Sequence, residues 1–199
     1  NFNGDVAYRI IVYLDSEGTW SSINSPNVVI APIERSRTNL DNLRNVDAAI
    51  SRISRINKDS IDPRIKAGAN YLNSRYALQE VRQRGFDDAI LLDSKGFVSE
   101  GCGANIMIFK DSSILTPSIN NSILDGITRR SIPELAKKIG FSFEERNILP
   151  DELFKAREVF FCGTAAEIKP ISTINGKKIG SGEIQLSRKL LAKYLSLVS

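Results

Sequence analysis

Short runs of β-branched and aromatic residues, separated by polar or glycine-containing segments, dominate the chain. These runs predict strands over 8–14, 27–33, 88–93, 97–100, 105–109, 114–117, 141–148, 158–162 and 168–174. The region 48–56 is predicted as a further strand, although serine and arginine interrupt it. Apolar residues at helical spacing predict helices over 69–84, 127–139 and 185–197. The pattern therefore indicates a mixed, strand-rich α/β fold.

Glycine, asparagine and polar residues punctuate this pattern. Gly85 and Gly140 are positioned to end the first two helices, and Thr128 is a plausible N-cap of the second. Short polar segments between strands predict hairpin turns at 94–96, 110–112 and 175–176.

Composition narrows the class of protein. The 199 residues are 42 % hydrophobic and 25 % charged, which suits an ordered domain. The net charge of +4 is scattered, without the dense basic stripe or motif of a nucleic-acid-binding protein. No apolar run is long enough to cross a bilayer, and no signal peptide is visible. Cys102 and Cys162 are expected to be free thiols in a reducing cytoplasm.

The chain has no histidine. Catalytic systems that use a Ser-His-Asp or Cys-His arrangement are therefore excluded, and so is a histidine-ligated zinc site. No other metal site is expected. Proton transfer in an enzyme of this sequence would need Lys, Asp, Glu, Tyr or Cys.

Lys66 and Glu100 lie in two segments with candidate chemistry. Lys66 directly precedes a predicted helix, where we expect partial desolvation to favour the neutral amine that Schiff-base chemistry needs. Glu100 ends a strand, and the glycines at 101 and 103 would let the backbone approach a flat ligand. Taken singly, a lysine at such a position is more often surface charge, and Glu100 is more often part of a tight turn.

Two further segments could hold an anion. Residues 126–128 begin a predicted helix, and residues 163–166 form a turn after a strand. Each offers backbone N–H groups and a hydroxyl, which could bind a phosphate or carboxylate. Either segment alone could be only a cap or a turn.

Taken in order, these segments resemble a known family. The motifs are KAGANY at 66–71, SEGCGAN at 99–105, DGITR at 125–129 and GTAAEI at 163–168. Their succession is similar to that of the fold-type IV pyridoxal-phosphate enzymes, and specifically of the branched-chain amino acid aminotransferases. The resemblance runs from about residue 5 to 182. It implies a large cofactor domain built as a pseudo-barrel with flanking helices.

The resemblance implies a role for each matched cofactor residue. Lys66 corresponds to the lysine that carries the cofactor as a Schiff base and moves the substrate Cα proton. Tyr71 corresponds to the tyrosine bound to the cofactor's phenolate oxygen, and Glu100 to the carboxylate paired with the pyridine nitrogen. Leu124 corresponds to an apolar residue on the ring face. The other implied cofactor-binding positions, at the expected phosphate site, are Ile127, Thr128, Gly163 and Thr164.

The substrate α-carboxylate is expected at the turn formed by Thr164, Ala165 and Ala166. The implied reaction is transamination between Leu, Ile or Val and 2-oxoglutarate, by a cytoplasmic homodimer or higher oligomer. A D-amino acid aminotransferase or an aminodeoxychorismate lyase of the same fold is the alternative, although the turn at 163–167 favours the first. A non-catalytic α/β module is the remaining hypothesis, which cofactor binding would separate from the others.

The sequence departs from the family pattern in two ways. Ala104 occupies a position where many relatives have Glu. Family members also carry a small N-terminal domain, for which no matching segment is found, and the chain does not begin with Met. We therefore expect residues 1–199 to form the large domain alone, and this chain by itself to be an incompetent aminotransferase.

Overall fold

The computed structural model describes residues 4–14, 19, 21 and 23–198. The chain divides into two compact units, Asn1–Asn39 and Leu40–Ser199. The assignment of all 199 residues to a single large domain thus stays a prediction.

The first unit contains a two-stranded antiparallel sheet. Strand β1 (Val6–Leu14) pairs with β2 (Pro26–Glu34) along its whole length, with Ile10 opposite Ile30. Both strands were predicted, each within two residues of its observed start.

The second unit is built on one large sheet. Within the described residues, nine strands belong to it: β3 (Val46–Ile50), β4 (Asp88–Leu92), β5 (Val98–Gly101), β6 (Asn105–Lys110), β7 (Ser113–Pro117), β8 (Ser142–Arg146), β9 (Glu158–Gly163), β10 (Glu167–Ile174) and β11 (Lys177–Lys178). Eight follow the order β5-β4-β3-β10-β9-β6-β7-β8, and β11 pairs with β10. Most neighbours are antiparallel, but β3 runs parallel to β4 and β10, and β7 parallel to β8. The sheet curls into a half-barrel, as a strongly twisted sheet of this size tends to do.

Helices connect and cover these strands. The helices are α1 (Gly68–Gln83), α2 (Ile127–Lys138), α3 (Pro150–Phe154) and α4 (Gln185–Val198), with 3₁₀ turns at Leu40–Asn42 and Ile119–Asn121. The predicted mixed α/β class is confirmed. None of the helices in the described ranges is both long and apolar enough to span a membrane.

The sheet is covered on both faces, and its central strands carry apolar side chains toward each face. In β6, Ile106 and Ile108 pack into one cluster, whereas Met107 and Phe109 pack into another. Successive side chains of a strand point to opposite faces, so here alternate residues enter two different hydrophobic clusters. The second of these clusters includes residues of α2 and α4, so both helices lie on that face.

Four local predictions need correction. The strand predicted over 48–56 is Val46–Ile50, and residues 51–56 form a loop instead of continuing the strand. The strand predicted over 141–148 is shorter, Ser142–Arg146. Thr128 is not the N-cap of α2, because Gly126 takes that position and Thr128 lies inside the helix. Helix α3 was not predicted, since five residues are too few for a periodic pattern.

The predicted hairpin turns and helix ends are found in the structure. Gly85 and Gly140 follow α1 and α2 with φ of 88° and 84°, a left-handed conformation that glycine adopts without strain. The three predicted hairpins join β4 to β5, β6 to β7 and β10 to β11.

Candidate active site

A cavity of about 320 Å³ opens in the second unit, next to the start of α1 and the start of α2. Its volume falls within the range of small-molecule sites. Nine of the ten predicted site residues line it: Lys66, Tyr71, Glu100, Leu124, Ile127, Thr128, Gly163, Thr164 and Ala165. Ala166, also among the described residues, lies in the same turn but outside the lining. Residues that are distant in sequence are therefore brought together around one space.

Lys66 lies immediately before the N-cap of α1, which is Ala67. Its Nζ lies 5.9 Å from the centre of the Tyr71 ring, within range of a cation–π contact. The Lys66 side chain is exposed, so the predicted partial desolvation is wrong for the protein as described. The reason is its position in an open loop at the cavity wall, where few atoms pack over it.

Glu100, in contrast to Lys66, is buried: it is 5 % exposed at the end of β5. Its Oε1 accepts a hydrogen bond from Arg55 Nε at 2.9 Å. Its Oε2 accepts from Asn105 Nδ2 at 3.2 Å and from the backbone N–H of Leu124 at 3.0 Å. Three donors thus fix the carboxylate in one orientation.

Burial raises the pKa of Glu100 from 4.5 to about 7, because the charged carboxylate loses contact with water. The Arg55 guanidinium, the Leu124 N–H and, more weakly, the Lys66 ammonium oppose this rise in the pKa. A further cation or N–H donor placed in the cavity against Glu100 would stabilise its ionised form.

Helix α2 presents its N-terminus to the cavity. Gly126 is the N-cap, and the first N–H groups of any helix lack partners within it, so the groups near Ile127 and Thr128 can bind an anion. The Thr128 side chain is buried, with its Oγ1 3.5 Å from the hydroxyl of Tyr194 in α4. The turn at 164–166 follows β9 at the same cavity, as predicted.

The two glycines beside Glu100 serve different purposes. A Cβ on Gly101 would lie 2.6 Å from Cε1 of Phe161, so this glycine is needed for packing inside the protein. A Cβ on Gly103 would meet nothing within 4 Å, and Gly103 lines the cavity. The prediction of close ligand approach is therefore limited to Gly103.

The two thiols are poor candidates for chemistry. Cys102 lines the cavity, but burial raises its pKa to about 12, and burial also raises the pKa of Cys162 to about 12. Neither is in a disulfide. Both therefore remain protonated at neutral pH and cannot act as bases or nucleophiles.

Arg55, Asn70 and Asn105 are among the polar residues of the cavity that were missed at the level of sequence. Asn105 Nδ2 bridges Glu100 and the backbone O of Leu124, the latter at 2.7 Å. Asn70 is 2 % exposed and its Oδ1 has no protein partner. Both asparagines belong to the quoted motifs and could have been singled out, whereas Arg55 lies in the region misassigned to a strand.

Comparisons with known proteins show which proteins the chain is similar to. The chain is 40 % identical over 192 residues to a probable branched-chain-amino-acid aminotransferase of Aquifex aeolicus, covering 96 % of this chain and 62 % of that protein. The crystal structure of branched-chain amino acid aminotransferase from Thermobaculum terrenum in its PLP-form superposes with a TM-score of 0.90 at 32 % identity. That match covers 100 % of this chain and 66 % of the other.

A third relative, the T.th. branched-chain amino acid aminotransferase complexed with N-(5'-phosphopyridoxyl)-L-glutamate, superposes with a TM-score of 0.88 at 30 % identity. It is matched over 97 % of this chain and 64 % of its own length. The chain thus spans just under two thirds of the length of these relatives. The family model of amino-transferase class IV matches residues 1–174. The chain therefore belongs to the class IV aminotransferase family.

Proposed function

We propose that this chain forms the cofactor-binding part of a pyridoxal-phosphate-dependent branched-chain aminotransferase, which exchanges the amino group between Leu, Ile or Val and 2-oxoglutarate. The observation that supports this most strongly is the convergence of Lys66, Glu100 and the N-terminus of α2 on one cavity. These supply an amine, a buried carboxylate and an anion site, which are the three groups that pyridoxal phosphate requires.

The residues present fit this cofactor. The pKa of Glu100 is raised, so a ring N–H in contact with its carboxylate would stabilise the ionised form. The unpartnered N–H groups at the start of α2 suit a phosphate dianion. The cavity volume accommodates a molecule of this size. When bound, pyridoxal phosphate supplies an electron sink for the charge that develops on the substrate Cα.

The chain's own residues then have distinct tasks. Lys66 Nζ would hold the cofactor at its aldehyde carbon and would move the proton of the substrate Cα. Glu100 keeps the ring nitrogen protonated, since an ionised carboxylate favours a cation beside it. Tyr71 orients the ring through its hydroxyl, and Leu124 packs on the ring face. Neither thiol competes for the proton, because both pKa values lie at about 12.

The turn at 164–166 is suited to the substrate α-carboxylate. Thr164 and Ala165 are exposed at the cavity, so a ligand can reach this turn. The use of 2-oxoglutarate is supported by the T.th. relative, whose complex contains a glutamate adduct. A cytoplasmic homodimer or higher oligomer is part of the same proposal, supported by the family resemblance and the free thiols.

A transamination assay tests this function. An intact enzyme that contains these residues should form glutamate from leucine and 2-oxoglutarate, and Lys66→Ala should abolish its turnover. Lys58→Ala is the matched control, because Lys58 is exposed nearby but lines a different pocket, and it should retain full activity. Turnover of D-alanine, or release of pyruvate from aminodeoxychorismate, without turnover of leucine would favour the alternatives and contradict the proposal.

A further inference from the structure

We propose that Arg55 is a positioning residue that links the Glu100 carboxylate to the segment carrying Lys66, so that the cofactor's two attachment points keep a fixed relation. This inference rests on the proposed function, because it concerns how the same site is held. Arg55 itself lines the cavity but is assigned no contact with substrate.

One arm of Arg55 holds Glu100. Its Nε donates to Glu100 Oε1 at 2.9 Å, and the two side chains are 5 % and 7 % exposed. A charge-assisted hydrogen bond between buried groups is short and directional. Since the other carboxylate oxygen is held by Asn105 and Leu124, Arg55 completes the orientation of Glu100.

The second arm reaches the Lys66 segment. Arg55 Nη1 donates to the backbone O of Asn70 at 3.3 Å, in the first turn of α1. The Asn70 amide in turn donates to the backbone O of Asp62 at 3.0 Å and of Ile65 at 2.8 Å. Ile65 directly precedes Lys66. A continuous set of hydrogen bonds therefore joins Glu100, Arg55, Asn70 and the lysine-bearing loop.

Arg55 is itself anchored. Its backbone N–H donates to Leu92 O at 2.8 Å, at the end of β4. On the other side, Asn73 of α1 donates from Nδ2 to Ser54 O at 2.9 Å and accepts from Ile56 N at 3.1 Å. The loop that carries Arg55 is thus fixed to both the sheet and α1. A guanidinium held in this way can keep Glu100 and the lysine-bearing loop in a fixed relative position, which a flexible surface arginine cannot.

Arg55 also governs the charge of Glu100. The charged groups that act on this carboxylate are Arg55 and Lys66, with Arg55 the larger influence. Once the Lys66 amine is engaged with the cofactor, Arg55 becomes the main permanent cation beside Glu100. Its loss would raise the pKa of Glu100 further and leave a neutral carboxylic acid facing the ring nitrogen.

The test compares Arg55→Met, which removes charge and hydrogen bonds, with Arg55→Lys, which keeps the charge but lacks the two-armed fork. Carbon-13 NMR of the Glu100 carboxyl in cofactor-free protein reports its titration. The rate of cofactor release from the loaded protein reports the link to Lys66. Arg146→Met is the control, because Arg146 pairs with Glu152 at 2.7 Å outside the cavity lining.

We expect Arg55→Met to shift the Glu100 titration upward by about 1 to 3 pH units, the usual influence of a neighbouring guanidinium. Cofactor release should be at least about tenfold faster, as for other broken buried charge pairs. Arg55→Lys should restore most of the titration but release cofactor nearly as fast as Arg55→Met. Arg146→Met should change neither measurement.

Several outcomes would overturn the inference. An unchanged titration and release rate in folded Arg55→Met would show that Arg55 has no positioning role. Full recovery of cofactor retention in Arg55→Lys would show that charge alone suffices and that the link through Asn70 is unimportant. If Arg55→Met does not fold, Arg55→Lys decides the question in the same way. Failure of the wild-type protein to bind cofactor at Lys66 would instead contradict the proposed function.

Discussion

At the scale of single residues, the site depends on two oppositely placed side chains. Lys66 is exposed and open to reaction, whereas Glu100 is buried and held by three donors. An exposed amine can exchange one covalent partner for another, while a buried carboxylate has strong electrostatic influence in a low-dielectric setting. The chemistry we propose requires this division between an accessible group and a fixed one.

Glu100→Gln separates the contribution of the carboxylate charge from that of the shape of the side chain. The amide preserves the shape of the side chain but loses the charge that favours a protonated ring nitrogen. We expect cofactor to remain bound, with kcat lowered by about 10²–10³ and KM little changed, because the charge matters most as the reaction proceeds. Steady-state kinetics of the intact enzyme with leucine would measure this. A kcat close to the wild-type value would reject the role of Glu100.

At the scale of elements, the start of α2 connects the anion site to Glu100. Gly126 caps the helix, and a Cβ at this position would lie 2.4 Å from Asn105 Oδ1. Asn105 in turn donates to Glu100 and to Leu124 O. A larger residue at this position would therefore force the Asn105 side chain to move, although Gly126 has an ordinary negative φ of −72°.

Gly126→Ala should disturb this junction. We expect the Asn105 side chain to be displaced, with a loss of about 1–3 kcal/mol in the free energy of unfolding, typical of overpacking. Cofactor should also bind more weakly, since the anion site and Glu100 are both affected. Gly68→Ala at the start of α1 is the control, because an added Cβ there meets nothing within 4 Å. Denaturant unfolding and cofactor titration would measure both effects, and equal stability of the two variants would contradict this account of the junction.

Element types were largely predictable from sequence because apolar periodicity is a local property. The hairpins and the stops at Gly85 and Gly140 also follow from local turn chemistry. The role of Arg55 was not predictable, because its partner Glu100 lies 45 residues away and meets it only when the loop after β3 passes the end of β5. That a buried glutamate needs a cation could be anticipated, but not which arginine supplies it.

At the scale of the whole molecule, the absence of histidine gives the stability an unusual pH dependence. Without histidine, few side chains titrate between pH 5 and 8. Glu100 is an exception, with its pKa raised to about 7 by burial. Glu152 does not titrate in this range, because hydrogen bonds from Arg146 lower its pKa to about 2. Any stability that its ionised form contributes is therefore lost only in acid.

For cofactor-free protein, we expect stability to fall as pH rises from about 5 to 8. Folded Glu100 keeps its proton up to about pH 7, whereas the unfolded chain loses it near 4.5, so the folded state binds more protons in this window. The loss should be at most about 3 kcal/mol. Urea unfolding across this pH range would measure it, and Glu100→Gln should show a flatter profile. Parallel profiles for the two proteins would contradict the buried titration of Glu100.

The most direct test of the proposed site is to identify the lysine that binds the cofactor. Purified protein is incubated with pyridoxal phosphate, reduced with borohydride, digested and mapped by mass spectrometry. Lys58 serves as an internal control, because it is exposed in the same region but lies outside the cavity lining. We expect the phosphopyridoxyl label on Lys66, with Lys58 unlabelled. A label on another lysine, with Lys66 unmodified, would contradict the account.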